Sequence, residues 1–176
     1  SVSEKIKFVG EKLKSNNISI KIDDRKNHKP GWKFSEYELK GIPVRIVIGP
    51  KDLENNTVEV ARRDELSKEI IDVNQVDSLI PKLLEKIQVN LFDKAKEFRK
   101  ENTYHVKDYN EFKETIKNKG GFIYAHWDGS KETENLIKKE TKATIRCIPM
   151  DYETNPGKCI LTGKKSKGLV VFGKSY

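Results

Sequence analysis

The chain has 176 residues, 35 Lys+Arg against 27 Asp+Glu for a formal net charge of +8, and equal hydrophobic and charged fractions of 35%. Two cysteines exclude a disulfide scaffold, and no apolar run approaches the roughly 20 residues of a membrane span. The length fits one large domain or two small ones, and the absence of an opening signal-peptide pattern predicts a reducing, cytoplasmic setting.

Val2, Ile6, Val9 and Leu13 recur at helical spacing, and Ser1 followed by Glu4 forms a capping box for that helix. Residues 18–22 alternate like a half-buried strand that ends at Asp23-Asp24. Residues 25–35 mix turn formers, bases and two aromatics, which predicts an exposed loop. Val44, Ile46 and Ile48 share one face of a strand stopping at Gly49-Pro50, so Arg45 faces the other way. Residues 57–61 read as its hairpin partner. The stripe Val76, Leu79, Ile80, Leu83, Leu84, Ile87, Leu91, Ala95, Phe98 predicts a helix running to about Lys100. Asp77 or Ser78 would cap it, placing Pro81 in the first turn, where a missing N–H costs nothing.

A second alternation follows residues 101–103. It has a short helix with Tyr109, Phe112 and Ile116, and a strand at 122–124 after Gly120-Gly121. A helix through Leu136 and Ile137, a strand over 143–148, and a closing hairpin of 158–161 with 169–172 complete it. The predicted fold class is α/β. Residues 1–102 form a mixed β-sheet with flanking helices, and residues 103–176 form a smaller α/β domain.

The charge is uneven. Residues 25–63 carry nine bases against five acids and residues 138–176 nine against three, while 64–137 are net acidic. Such blocks suit a polyanionic partner, and equally a solvated surface. Dinucleotide, P-loop and nucleophile-elbow motifs are absent, and His28, His105 and His126 lie far apart, so no catalytic residue is assigned. Cys147 and Cys159 have no C-x-x-C spacing, which argues against a cysteine-built zinc site. The informative segment is 30–63. Trp32 and Phe34 can stack on bases among Lys29, Lys33, Arg45, Lys51, Arg62 and Arg63, with Glu38 and Asp52 interleaved. Phosphate binding alone would not place carboxylates there. Guanine recognition would, because a carboxylate accepts from N1–H and the amino group while arginine donates to O6 and N7. A basic loop with helix-like charge pairs is the competing reading.

The runs Pro30-Gly31-Trp32-Lys33-Phe34-Ser35-Glu36-Tyr37-Glu38-Leu39-Lys40-Gly41-Ile42-Pro43-Val44-Arg45, Gly49-Pro50-Lys51-Asp52-Leu53 and Ala61-Arg62-Arg63-Asp64 resemble the anticodon-binding domain of prolyl-tRNA synthetase. The tail, from Thr144-Ile145-Arg146-Cys147-Ile148-Pro149 to Val171-Phe172-Gly173-Lys174-Ser175-Tyr176, is similar to the C-terminal domain of that family's archaeal/eukaryote-like branch. The resemblance implies that Phe34, Glu38, Arg45, Lys51 and Asp52 contact the two guanines of the proline anticodon. It places Arg62 nearby, and Lys29, Trp32 and Lys33 beside the RNA backbone.

The same resemblance implies a cytoplasmic aminoacyl-tRNA synthetase of protein biosynthesis, an ATP-dependent ligase. Its ATP and Mg belong to an upstream catalytic domain that this chain is expected to lack, so the chain is expected to be a C-terminal fragment, inactive alone. Arg63-Asp64-Glu65 only formally resembles an ATP-binding motif. The full enzyme is expected to be a homodimer and the fragment a monomer, and Tyr176 is expected to belong to a tail packed toward the catalytic domain. Relatives often hold zinc with four cysteines where this chain has Trp127, Thr133, Cys159 and Thr162, so no zinc is expected. The alternatives are a free-standing RNA-binding protein or a structural interaction module reusing the same domain.

Overall fold

The computed structural model describes residues 1–151, 153 and 155–175, so Tyr176 lies outside the described residues. The chain forms two compact units that divide after Lys94, within its long helix, whereas the sequence patterns put the join near residue 102.

In the first unit, helix α1 (Val2–Ser15) starts on the expected capping box, with Ser1 and Glu4 satisfying each other's backbone donors. Residues 18–22 do not form a strand, because no strand of the sheet pairs with them. Their alternation is real, however. Ile18 and Ile20 pack on the hydrophobic core, and Ile20 Cδ1 lies 2.8 Å from where a Cβ on Gly10 would sit. Gly10 is thus a contact point between α1 and this extended segment.

The expected loop at 25–35 is instead largely helix α2 (Pro30–Leu39). Pro30 stands at the first helical position, where its fixed φ is already helical and its missing N–H has no helical partner to lose. The Pro-Gly pair marks a helix start here, not a turn.

Strand β1 (Val44–Val47), helix α3 (Pro50–Asn55), strand β2 (Thr57–Arg62) and strand β3 (Lys68–Asp72) follow. The sheet is antiparallel in the order β1–β2–β3. β1 and β2 are joined through α3, where a simple hairpin was expected. Strand β3 has no clear sequence signature, because it is an edge strand with little buried surface and Ile70 is 69% exposed.

Asp72 caps a 3-10 turn, Val73–Gln75, that runs directly into α4 (Val76–Glu101). Neither Asp77 nor Ser78 caps the helix, and Pro81 therefore falls in its second turn. Proline lacks the donor that would bond the carbonyl four residues back. That carbonyl, Asp77 O, receives Asn16 Nδ2 at 3.4 Å from the end of α1. Val9 and Leu13 of α1, Val58 and Val60 of β2, and Ile80, Leu83 and Ile87 of α4 make the core.

The second unit contains β4 (Thr103–His105), α5 (Tyr109–Asn118), β5 (Phe122–His126), α6 (Lys131–Thr141) and β6 (Ala143–Cys147). Short strands β7 (Gly157–Lys158) and β8 (Lys165–Ser166) precede β9 (Leu169–Lys174). The sheet order is β4–β5–β9–β6, with β4 and β5 parallel and β9 antiparallel to both neighbours. The last strand therefore inserts centrally and does not close a hairpin with 158–161. Val170 to Gly173 are all buried, the continuous pattern of a strand covered on both faces. Phe172 meets Phe112 of α5 edge-on at 5.2 Å in the core. Among the described residues, no helix is long and apolar enough to cross a membrane.

Candidate nucleic-acid interface

The register of β1 with β2 decides which side chains share a face. Arg45 pairs with Ala61 and Val44 with Arg62, so Arg45 projects away from the core-facing Val44, as the strand period predicts. Helix α2 carries Phe34 and Glu38 one turn apart on one side. The three side chains meet. The Arg45 guanidinium carbon lies 4.0 Å from the centre of the Phe34 ring, and its Nη1 donates to Glu38 Oε1 at 2.9 Å. Arg45 is 16% exposed and Glu38 49%. Among the described residues, Arg45 Nε is buried with no hydrogen-bond partner.

Arg63 joins this group. Its Nε donates to Glu38 O at 2.8 Å, and its backbone N–H donates to Pro43 O, which continues the ladder one step past β2. Because side chains alternate, Arg63 falls on the face of Arg45 and Ala61, and Arg62 on the opposite face. Arg62 is engaged there. It grips Asp64 with two hydrogen bonds of 3.1 and 2.8 Å and reaches Glu65 at 3.2 Å. Asp64 is 1% exposed and also accepts from Asn90 Nδ2 of α4 at 2.6 Å, and the Arg62 guanidinium first and Asn90 next hold its pKa down at about 2. The strand alternation, once registered against Arg45, thus puts Arg63 on the face of Arg45 and Arg62 on the other.

Lys51 and Asp52 stand in the first turn of α3. Asp52 Oδ2 accepts from the Gly49 backbone N–H at 2.8 Å, so one carboxylate oxygen caps the helix, while Lys51 is exposed. Among the described residues, no bond links these two to the Phe34–Glu38–Arg45 group.

Lys29 is the exposed residue that opens α2. Trp32 is half exposed, stacks on His28 with ring centres 3.8 Å apart, and has the Arg25 guanidinium over its ring at 5.3 Å. Lys33 turns inward, with its Nζ 3.2 Å from Asp23 O and 3.3 Å from Asp23 Oδ1. Arg25 bridges Asp23 and Glu36 at 2.7 and 2.6 Å. Arg25 above all holds the Asp23 carboxyl well below the usual carboxylate range. Lys40 first, and Arg25 next, lower Glu36 to about 2. This network fixes α2 against the preceding segment, and so fixes where Phe34 and Glu38 point.

The four positions that the resemblance assigns to zinc do not suit that metal. Zinc takes thiolate, imidazole or carboxylate ligands. Here the indole Nε1 of Trp127 donates to Ser130 O, Thr133 and Thr162 offer neutral hydroxyls, and Cys159 is a lone buried thiol. Among the described residues, no three His, Cys, Asp or Glu side chains gather as a metal site would require.

Residues 1–83 match the family of anticodon binding domains, and residues 109–176 match the prolyl-tRNA synthetase C-terminal family. A proline–tRNA ligase of Amoebophilus asiaticus is 52% identical over the whole chain, which spans 36% of that relative. One of Parabacteroides distasonis is 55% identical over 175 residues, 35% of its length. The prolyl-tRNA synthetase of Cryptosporidium parvum, solved with L-proline and AMP, superimposes on 99% of the chain with a TM-score of 0.89 at 35% identity, using 37% of its own chain. The chain thus spans about a third of the length of these relatives. With an anticodon-binding match in the first half, a prolyl-tRNA synthetase C-terminal match in the second, and likeness of fold over 99% of its length, the chain is similar from end to end to the C-terminal part of prolyl-tRNA synthetases.

Proposed function

We propose that this chain reads the anticodon of proline tRNA on behalf of a prolyl-tRNA synthetase that joins proline to its tRNA using ATP. The observation that carries this reading is the Phe34–Glu38–Arg45 group: a half-exposed carboxylate, a guanidinium and an aromatic face held together on one side of the sheet. Guanine offers two donors on its Watson–Crick edge and two acceptors on its Hoogsteen edge, and this pair can meet either. Phe34, Glu38 and Arg45 contact the anticodon guanines, Lys51 and Asp52 extend the contact from α3, and Arg63 widens it. Arg62 supports the site from the far face through Asp64. Lys29 and Trp32 face the RNA backbone, and Lys33 contributes through the network that orients α2.

ATP and Mg act in the catalytic part of the enzyme, which works in the cytoplasm as a homodimer, while this chain alone is a monomer. The likeness over 99% of the chain to a Cryptosporidium enzyme supports placement in the archaeal/eukaryote-like branch, although the relatives near 50% identity are bacterial.

The test is binding of the chain to proline tRNA and to the same tRNA with its two anticodon guanines replaced. Tighter binding to the native anticodon, by at least tenfold, is expected. Equal affinity would reduce the site to general RNA binding.

A further inference from the structure

Of the four positions named for zinc cysteines only Cys159 keeps a thiol, and two of the others, Thr133 and Thr162, meet at one carboxylate. Thr133 Oγ1 and Thr162 Oγ1 both donate to Asp128 Oδ2, at 2.9 and 2.8 Å. Asp128 Oδ1 accepts from the backbone N–H of Ser130 at 3.1 Å. Ser130 Oγ lies 2.9 Å from both Asp128 Oδ1 and Thr133 Oγ1, and its single proton serves one of them at a time. Ser130 Oγ also caps α6 by accepting from Thr133 N–H. An ionised carboxylate has about four acceptor directions, and up to four bonds from three residues meet it here.

The residues come from two segments. Asp128, Ser130 and Thr133 belong to the turn between β5 and α6 and to its first helical turn, whereas Thr162 lies in the turn between β7 and β8. The hairpin docks on the sheet through the Ile160 N–H to His126 O bond of 3.0 Å and the buried Cys159. At its tip, the Thr162–Asp128 bond ties its side chains to the β5–α6 turn.

We propose that the carboxylate–hydroxyl cluster of Asp128, Ser130, Thr133 and Thr162 serves here as the cross-link that a four-cysteine zinc site would supply, so that the second unit folds without metal. A carboxylate suits this task because O–H···O⁻ bonds are short and charge-assisted, and several neutral donors can share one acceptor without mutual repulsion. It also satisfies the hydroxyl of Thr133, which is otherwise buried at 3% exposure.

The test uses the whole 176-residue chain. Thermal melting is followed with and without a chelator, and zinc is measured in the purified protein by plasma mass spectrometry. The wild type is expected to contain no stoichiometric zinc and to melt at the same temperature with chelator. Thr162→Val removes one donor at constant shape and is expected to lower the melting temperature by about 4 °C, the size expected for one lost bond of this kind in a unit of this length. Thr162→Ser is expected to melt with the wild type. Asp128→Ala is expected to lower melting further, and adding Thr162→Val to it should change little, because the two share one interaction. One zinc per chain, chelator-sensitive melting, a Thr162→Val chain that melts with the wild type, or additive effects in the double variant would each overturn the proposal. Should Asp128→Ala fail to fold, the Thr162→Val and Thr162→Ser pair with the chelator still decides it.

Discussion

At the scale of single residues, the proposed discrimination rests on what Glu38 can accept. Its Oε1 is shared with Arg45 Nη1, yet half the side chain stays open to a ligand. Glu38→Gln keeps the shape but replaces an acceptor with a donor, so it cannot accept both donors of a guanine. The change is expected to cost about 1–3 kcal/mol of binding to native proline tRNA and nearly none to the guanine-replaced tRNA, as read by competition binding. Arg63→Ala is expected to weaken native binding while Arg62→Ala acts mainly on stability, because Arg62 is spent on Asp64. The residue types that build the group are visible in the sequence: Phe34, Glu38 and Arg45 stand in a segment whose mixed charge suits guanine better than phosphate. Their face is also legible, since Arg45 alternates with Val44 and Ile46. The partner across the sheet is not. Knowing that Arg63, and not Arg62, shares the face of Arg45 needs the register of β1 on β2, and register is set by long-range pairing that one strand's sequence does not contain.

At the scale of elements, two joints should be sensitive. The first is the clamp between the β2–β3 turn and α4, where Asp64 gathers Arg62, Asn90 Nδ2 and, through its carbonyl, Lys94 Nζ at 2.9 Å. Asp64→Asn leaves the Arg62 guanidinium with the more exposed Glu65 in place of its closed-in, two-bond partner and is expected to cost about 1–3 kcal/mol in denaturant unfolding. The folded pKa of Asp64, about 2, lies below the ordinary value of 3.8 for an aspartate, so its contribution is fully present above about pH 5. It is lost as the pH falls from there through about 2. The Asp64→Asn penalty should therefore shrink over that window; a penalty equal at pH 7 and pH 2.5 would mean that Asp64 acts through packing alone. The second joint is Gly121, whose φ is +76° and whose added Cβ would fall 2.4 Å from Asn102 O, the acceptor of the Phe122 N–H. Gly121→Ala combines a left-handed backbone with a backbone clash, and is expected to destabilise the second unit by about 2–4 kcal/mol. Elements with a strong internal period, α1 and α4, are readable from sequence because the pattern is local. The loop expected at 25–35 fails for a local reason too: Pro30-Gly31 fits a turn as well as a first helical turn, and the contacts of α2 with β1 and with Asp23 and Arg25 choose. Strand β3 and the central place of β9 are decided by which edge is free, a property of the assembled sheet.

At the scale of the whole molecule, charge and recognition separate. The net charge of +8 acts on any polyanion, and counterion release makes that part of binding fall steeply with salt. The Glu38–Arg45 pair is close to neutral as a unit, so the bonds it offers a base release few counterions. Affinity should therefore depend on salt while selectivity does not. Between 50 and 200 mM salt, binding to native and to guanine-replaced proline tRNA is expected to weaken by the same factor, with parallel plots of log K against log salt. The ratio of the two affinities should stay within about twofold, since a 1–3 kcal/mol contribution from base contacts carries no ion term. Convergence of the two lines at high salt would place the selectivity in the basic surface and remove it from Glu38 and Arg45. Parallel lines that merge only in the Glu38→Gln variant would locate it at the carboxylate, which stands half exposed against Arg45 beside the Phe34 ring.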